Sequence, residues 1–112
     1  MRRGEVWVVR FSPVIGHEQA GLRPAVIVSA DPWNGPPGHL VTVLPITSKP
    51  RKLPSRVRVV PPEGGLHLES WVICEQVRTM STQRLGSQLG ELRPATMAAV
   101  SETLQLMLDL ER

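Results

Sequence analysis

The stretch His17-Glu18-Gln19-Ala20-Gly21-Leu22-Arg23-Pro24 sets two proton-carrying side chains, an amide and a guanidinium directly ahead of the apolar run Ala25-Val26-Ile27-Val28. Gly21 serves a turn and Pro24 suits the start of a strand, but neither explains His17, Glu18 and Arg23 together. A guanidinium presents a planar fork of donors that matches phosphate or carboxylate oxygens, and imidazole and carboxylate groups are the common proton carriers. A purely structural alternative stands beside this one, in which Arg23 pairs with Glu18 across the loop. A second group follows the run LVTVLPIT, where Thr47 and Ser48 precede Lys49, Arg51 and Lys52. Such hydroxyls either bond nearby backbone at a strand end or join the basic residues in holding a polyanion. Glu75 is the third candidate. A carboxylate within the apolar segment WVICEQVRT requires a partner, which Arg78 or Arg23 could supply.

Other chemistries are excluded by count. The chain has one cysteine, Cys74, and three histidines, so an internal disulfide is impossible, and no clustered carboxylates or His/Cys set stands ready for a catalytic metal. No metal or cofactor is expected, and Cys74 reads as a small buried hydrophobe. With no apolar run near the roughly 20 residues of a membrane span, and no signal-peptide pattern after the opening arginines, a cytoplasmic location without membrane contact is expected. Charge is lopsided: residues 1–60 hold nine Lys or Arg and three acids, net +6, while residues 61–112 hold four and seven, net −3. That is the footprint of a polyanionic partner, or of a well solvated basic surface.

The elements that must position these residues are short. GEVWVVRF, AVIVSA, LVTVLPIT, SRVRVV and WVICEQVRT are strand length, rich in Val, Ile, Trp and Thr, and separated by Pro or Gly breakers. Val57 and Val59 alternate with Arg56 and Arg58, as in a half-buried strand. Pro45 cannot donate to a ladder, which predicts an edge or a bulge there. Pro94 suits the first helical position, and Met97, Val100, Leu104, Met107 and Leu108 recur at three- and four-residue steps on one face. At 112 residues, one domain spanning 1–112 is expected. Its fold class is mainly β with a C-terminal helix: a small SH3-like barrel of short antiparallel strands, which spares a sheet of this size long unpaired edges.

RRGEVWVV, GHEQAGLRPAVIVS, PITS and CEQVRT, in this order and spacing, resemble the MazF/PemK family of toxins over nearly the whole chain. The resemblance implies the plasmid-maintenance-toxin version of the SH3-like barrel, a homodimer, and a metal-independent endoribonuclease that cuts single-stranded RNA and is neutralised by a cognate acidic antitoxin. It places the family's catalytic arginine at Arg23 and its partner threonine at Thr47. RNA carries its own nucleophile in the 2′-hydroxyl, so the protein need only move protons and stabilise charge on the phosphorus-centred transition state. Arg23 and Thr47 fit the second task, and Arg23 is expected to donate a proton as well as to stabilise charge. One branch of the family gives acid–base roles to a first-loop histidine and to an acid and an arginine on the fifth strand. Here His17 and Glu75 match, but Ile73 stands where the arginine should be, so His17, Glu18 and Glu75 are candidate assistants only.

Gln19, Ser48, Lys49, Arg51, Lys52, Gln76 and Arg78 are the expected RNA contacts, with Arg56 and Arg58 as further phosphate contacts or part of a solvated face. Trp33, beside NGPPG, either stacks on a base or packs on the barrel, and His39 and His67 read as surface residues without a role. The competing reading is a non-catalytic SH3-like barrel that binds a protein or nucleic acid, as a gyrase-inhibitor-like or inactive toxin would. The pair Arg23 and Thr47 discriminates between the two, since a binder has no need of a guanidinium and a hydroxyl converging on one phosphate.

Overall fold

The computed structural model describes residues 1–11 and 21–111; His17, Glu18 and Gln19 lie outside the described residues. Among the described residues seven strands precede one α-helix: β1 Glu5–Arg10, β2 Leu22–Ile27, β3 Leu40–Thr47, β4 Arg56–Val59, β5 Ser70–Ile73, β6 Arg78–Ser81, β7 Leu85–Glu91 and α1 Pro94–Leu108. They pair antiparallel in the order β4-β5-β3-β2-β1-β7, with β6 also on β3. The small antiparallel β fold with a terminal helix is as expected, and its hydrogen-bonded path runs from β4 to β7 without closing.

β3 organises the sheet. One side of it pairs with β2 through Val43, Leu44 and Pro45. The other side serves two strands in turn, β6 along Leu40–Val43 and β5 along Ile46 and Thr47. Pro45 explains the change of partner. Thr42 turns its N–H and C=O toward β2, donating to Ser29 Oγ and accepting from the Val28 N–H, so Pro45, three residues on, directs its missing donor to the opposite side. The ladder lacks a donor where β6 gives way to β5. The expectation of an edge is therefore corrected: β3 is central, and its proline sits at a break between neighbours.

Period-two alternation distributes the apolar residues over both faces. Val6, Val26, Leu44, Ile46, Val59 and Val72 point toward α1, where Val100 is fully buried and Met97 and Leu104 pack alongside. Val9, Ala25, Ile27, Val41, Val43 and Met80 form a second cluster on the opposite face, flanked by Trp7, Phe11 and Leu85. A strand covered on both faces reads as an unbroken apolar run, which is why AVIVSA shows no alternation. The helix is shorter in its burial than its pattern suggests: Met107 and Leu108 project past the sheet, 38% and 48% exposed. None of the described helices is long and apolar enough to cross a membrane.

Two segments depart from the expected elements. WVICEQVRT is not one strand; a turn of 3-10 helix at Cys74–Gln76 splits it into β5 and β6. β7, with the sequence LGSQLGE, has two glycines and no β-branched residue, so propensity does not announce it. It forms because glycines permit a very close backbone approach: a Cβ on Gly65 would lie 2.0 Å from the Leu89 carbonyl oxygen, and one on Gly90 would lie 2.7 Å from the Gly64 carbonyl carbon. Gly65 also has φ +71°, where other residues are strained.

The N-terminus of α1 has no side-chain cap from its own N-cap residue, Arg93. Glu63, from a distant turn, substitutes for one, accepting from the Arg93 N–H at 2.9 Å and from its guanidinium at 3.1 Å. Burial alone would raise the pKa of Glu63, but hydrogen bonds from Thr96 and Arg93 outweigh it and hold the carboxyl below its ordinary range. A depressed folded-state pKa contributes stability that is complete above the unfolded value of about 4.3 and is lost as pH falls through the folded one. Glu63→Gln is therefore expected to cost about 1–2 kcal/mol in urea unfolding at neutral pH. The gap should shrink progressively below about pH 4; a gap of constant size down to acid pH would contradict this role.

Candidate active site

Arg23 and Thr47 arise from different strands and meet through register. Ala25 of β2 faces Pro45 of β3, so continuing the antiparallel pairing by two residues sets Arg23 opposite Thr47 with both side chains on one face. On its other side Arg23 pairs with Val9 of β1. The Phe11 N–H donates to the Gly21 carbonyl at 2.6 Å, closing the base of the connection that leads into Arg23.

A cavity of about 440 Å³ opens at this end of β2 and β3. Its polar lining is Arg23, Thr47, Ser48, Lys49, His67 and Ser70, and its apolar wall is Pro24, Ile46, Leu66, Leu68 and Leu89, completed by Gly65. The residues come from β2, β3, β7 and the segment leading into β5. Two cationic side chains and a strand-end hydroxyl beside an apolar wall suit an anion attached to a ring or carbon skeleton, such as a phosphate carrying a nucleoside. The Thr47 hydroxyl takes part in the turn, as strand-end hydroxyls do: its oxygen accepts from the Lys49 N–H at 3.1 Å. Because the oxygen is the acceptor there, the hydroxyl proton remains available to donate.

The other expected site residues divide by location. Ser48 and Lys49 line the cavity, and Arg51 and Lys52 follow as exposed residues of the β3–β4 connection. Glu75 does not line it. This carboxylate sits on the 3-10 turn, exposed rather than buried on an apolar strand, and its partners are neither Arg78 nor Arg23. It accepts from Ser55 Oγ at 2.7 Å and from Arg56 Nε at 2.8 Å, and the Arg56 side chain is itself only 5% exposed. Burial tends to raise the Glu75 pKa, but the Ser55 and Arg56 interactions prevail and lower it, so this carboxylate stays ionised as a structural anchor. Arg78 lies over the Phe11 ring, 5.4 Å from its centroid, a cation–π contact that fastens β6 to the end of β1. Gln76 ends the 3-10 turn beside it, outside the cavity. Trp33 is 80% exposed and lines a separate cavity with Leu40 and Thr79, at the opposite end of β3 from Thr47.

His67, expected to be a surface residue without a role, is exposed but lines the same cavity as Arg23 and Thr47; GGLHLES is no recognisable motif, and only the fold places it there. Among the described residues no three His, Cys, Asp or Glu side chains converge as a metal site.

Comparison with known proteins agrees with this architecture. The sequence profile of the PemK-like, MazF-like toxins of type II toxin–antitoxin systems matches residues 2–108. The chain is 38% identical over 115 residues to the endoribonuclease MazF9 of Mycobacterium tuberculosis, covering 98% of each chain. It is 33% identical over 111 residues to the endoribonuclease EndoA of Bacillus subtilis, covering 98% of this chain and 96% of that one. Among solved structures, a mycobacterial endoribonuclease in complex with its cognate antitoxin aligns with a TM-score of 0.80 at 28% identity, over 100% of this chain and 98% of that one. MazF from Deinococcus radiodurans aligns with a TM-score of 0.79 at 29% identity, over 97% and 96%. The chain belongs to the PemK-like, MazF-like toxin family.

Cys74 is fully buried in the core, and burial, then the nearby Glu75 charge, pushes its thiol up to about 11. It is no nucleophile at neutral pH. A thiol reagent at pH 7.5 is expected to leave the native chain unlabelled and to label one thiol after unfolding; rapid labelling of the native protein would contradict the placement of Cys74 in the core.

Proposed function

We propose that this chain is the RNA-cleaving toxin of a toxin–antitoxin pair: a sequence-specific, metal-independent endoribonuclease acting on single-stranded RNA. The observation that carries the proposal is that Arg23 and Thr47, 24 residues apart in sequence, line one cavity with Lys49. The relatives named as endoribonucleases align over nearly their whole length, and one structural neighbour is an endoribonuclease held by its antitoxin. Residues 1–112 act as one toxin domain, as a homodimer in the cytoplasm, and a cognate acidic antitoxin neutralises it. The net charge of +6 in residues 1–60 attracts either polyanion.

In the proposed reaction the 2′-hydroxyl attacks the adjacent phosphorus, forming a 2′,3′-cyclic phosphate and releasing a 5′-hydroxyl. The nucleophile is intramolecular, so the protein's first contribution is to hold the strand with its reacting atoms aligned. Ser48, Lys49, Arg51 and Lys52 supply the phosphate contacts. Charge accumulates on the non-bridging oxygens as phosphorus gains its fifth ligand, and the Arg23 fork and the Thr47 hydroxyl meet it with preorganised donors. The apolar wall beside them limits water access and strengthens these interactions.

The test is incubation of the purified chain with a mixed RNA pool in EDTA, followed by chemical mapping of the cut ends. Cyclic phosphate and 5′-hydroxyl termini are expected; activity that chelator abolishes and magnesium restores would overturn the proposal. Arg23→Lys keeps the charge but loses the fork, and is expected to stay folded while kcat/KM falls by about 10²–10³. Near wild-type cleavage by Arg23→Lys would remove Arg23 from the chemistry.

A further inference from the structure

Cleavage requires one event that neither Arg23 nor Thr47 performs well. The 5′-oxygen departs with the electron pair of its bond to phosphorus, and as a bare alkoxide it is a poor leaving group. A guanidinium holds its protons at any pH the fold survives, and a threonine hydroxyl could give up its own only by becoming an alkoxide. A lysine ammonium parts with its proton less readily than an imidazolium. Among the described residues lining the cavity, the one side chain of a type that releases and regains a proton near neutrality is His67.

The location of His67 suits that task. It is exposed, yet its backbone is fastened on both sides. Leu66 is buried in the core at 7% exposure, and Gly65 packs against the Leu89 carbonyl. Beyond it, Glu69 is ion-paired with Arg58, and Ser70, 4% exposed, donates its hydroxyl to the Leu68 carbonyl at 2.8 Å. The ring is carried on an anchored segment rather than on a free loop, as a catalytic group must be. No hydrogen bond or ion pair among the described residues engages the imidazole, so both nitrogens are open to a substrate.

We propose that His67 is the general acid of RNA cleavage, a role that rests on the endoribonuclease reading above. In the balanced step the bond from the 2′-oxygen to phosphorus forms and the bond from phosphorus to the 5′-oxygen breaks. The 5′-oxygen keeps that electron pair and takes the proton of the His67 imidazolium. The 2′-hydroxyl proton passes to solvent water, and water then reprotonates the neutral imidazole. Arg23 and Thr47 stabilise charge, and His67 manages the leaving group.

The experiment compares wild type and His67→Gln on two oligonucleotides spanning one mapped cleavage sequence. The first is ordinary RNA; in the second, sulfur replaces the 5′-oxygen at the cleaved linkage, and a thiolate leaves without needing a proton. His67→Gln is expected to lose about 10²–10³ in rate on the oxygen substrate and to cleave the sulfur substrate close to the wild-type rate. That rescue also proves the variant folded and competent to bind. Equal losses on both substrates, or near wild-type cleavage of ordinary RNA, would overturn the assignment. A wild-type protein that leaves both substrates uncut would instead remove the endoribonuclease reading, and the general acid with it.

Discussion

A single missing donor shapes this molecule. Pro45 interrupts β3 on the side where β6 ends and β5 begins, so one eight-residue strand serves three neighbours instead of two. β2 pairs along the other side through Val43, Leu44 and Pro45, and the same register carried two residues further leads from Ala25 and Pro45 to Arg23 and Thr47. β3 separates the cavity at Thr47 from the one that Trp33 lines. With about 3.3 Å of rise per residue, its two ends stand roughly 23 Å apart, so Trp33 and Thr47 address different parts of the surface. Trp33 reaches a strand held at Thr47 only if several nucleotides lie between them.

The glycine seam completes the site. Gly65 and Gly90 bring the turn before β5 against β7 at a separation no side chain would allow, and Gly65, His67 and Leu89 all line the cavity. The basic residues divide accordingly. Arg56, Arg58 and Arg93 are joined to Glu75, Glu69 and Glu63, and Arg78 covers Phe11, so much of the positive charge holds strands and helix in place. Lys49, Arg51 and Lys52 are exposed and make no ion pair among the described residues, which leaves them for a polyanion. A charge count along the sequence cannot separate these two groups; their partners do.

The first four strands and the helix are legible because runs of β-branched residues and a helical apolar period are local signals; β2, however, begins at Leu22, two residues before the proline expected to open it. WVICEQVRT misled because its break is a tertiary effect: Ser55 and Arg56 hold the Glu75 carboxylate, and the chain turns at Cys74–Gln76 to meet them. β7 was invisible because close approach by glycine, not side-chain propensity, makes it a strand. Arg23 and Thr47 are singled out by the resemblance of a spaced motif, and both line one cavity. The partner of Glu75 could not be read, since Arg56 lies on another strand and looked solvent-facing by alternation. His67 carried no signal at all, because its neighbours come from four separate segments.

The central claim is that Arg23 and Thr47 act as a unit on one phosphate, and a double-mutant cycle tests it most directly. Cleavage rates would be measured for wild type, Arg23→Ala, Thr47→Ala and the double variant, on one RNA substrate under single-turnover conditions. Two groups that stabilise the same transition-state charge should couple, so the double variant is expected to fall short of the summed single losses by about 1 kcal/mol or more. Strict additivity would contradict the account, since it would mean that the two residues serve separate steps or separate parts of the strand.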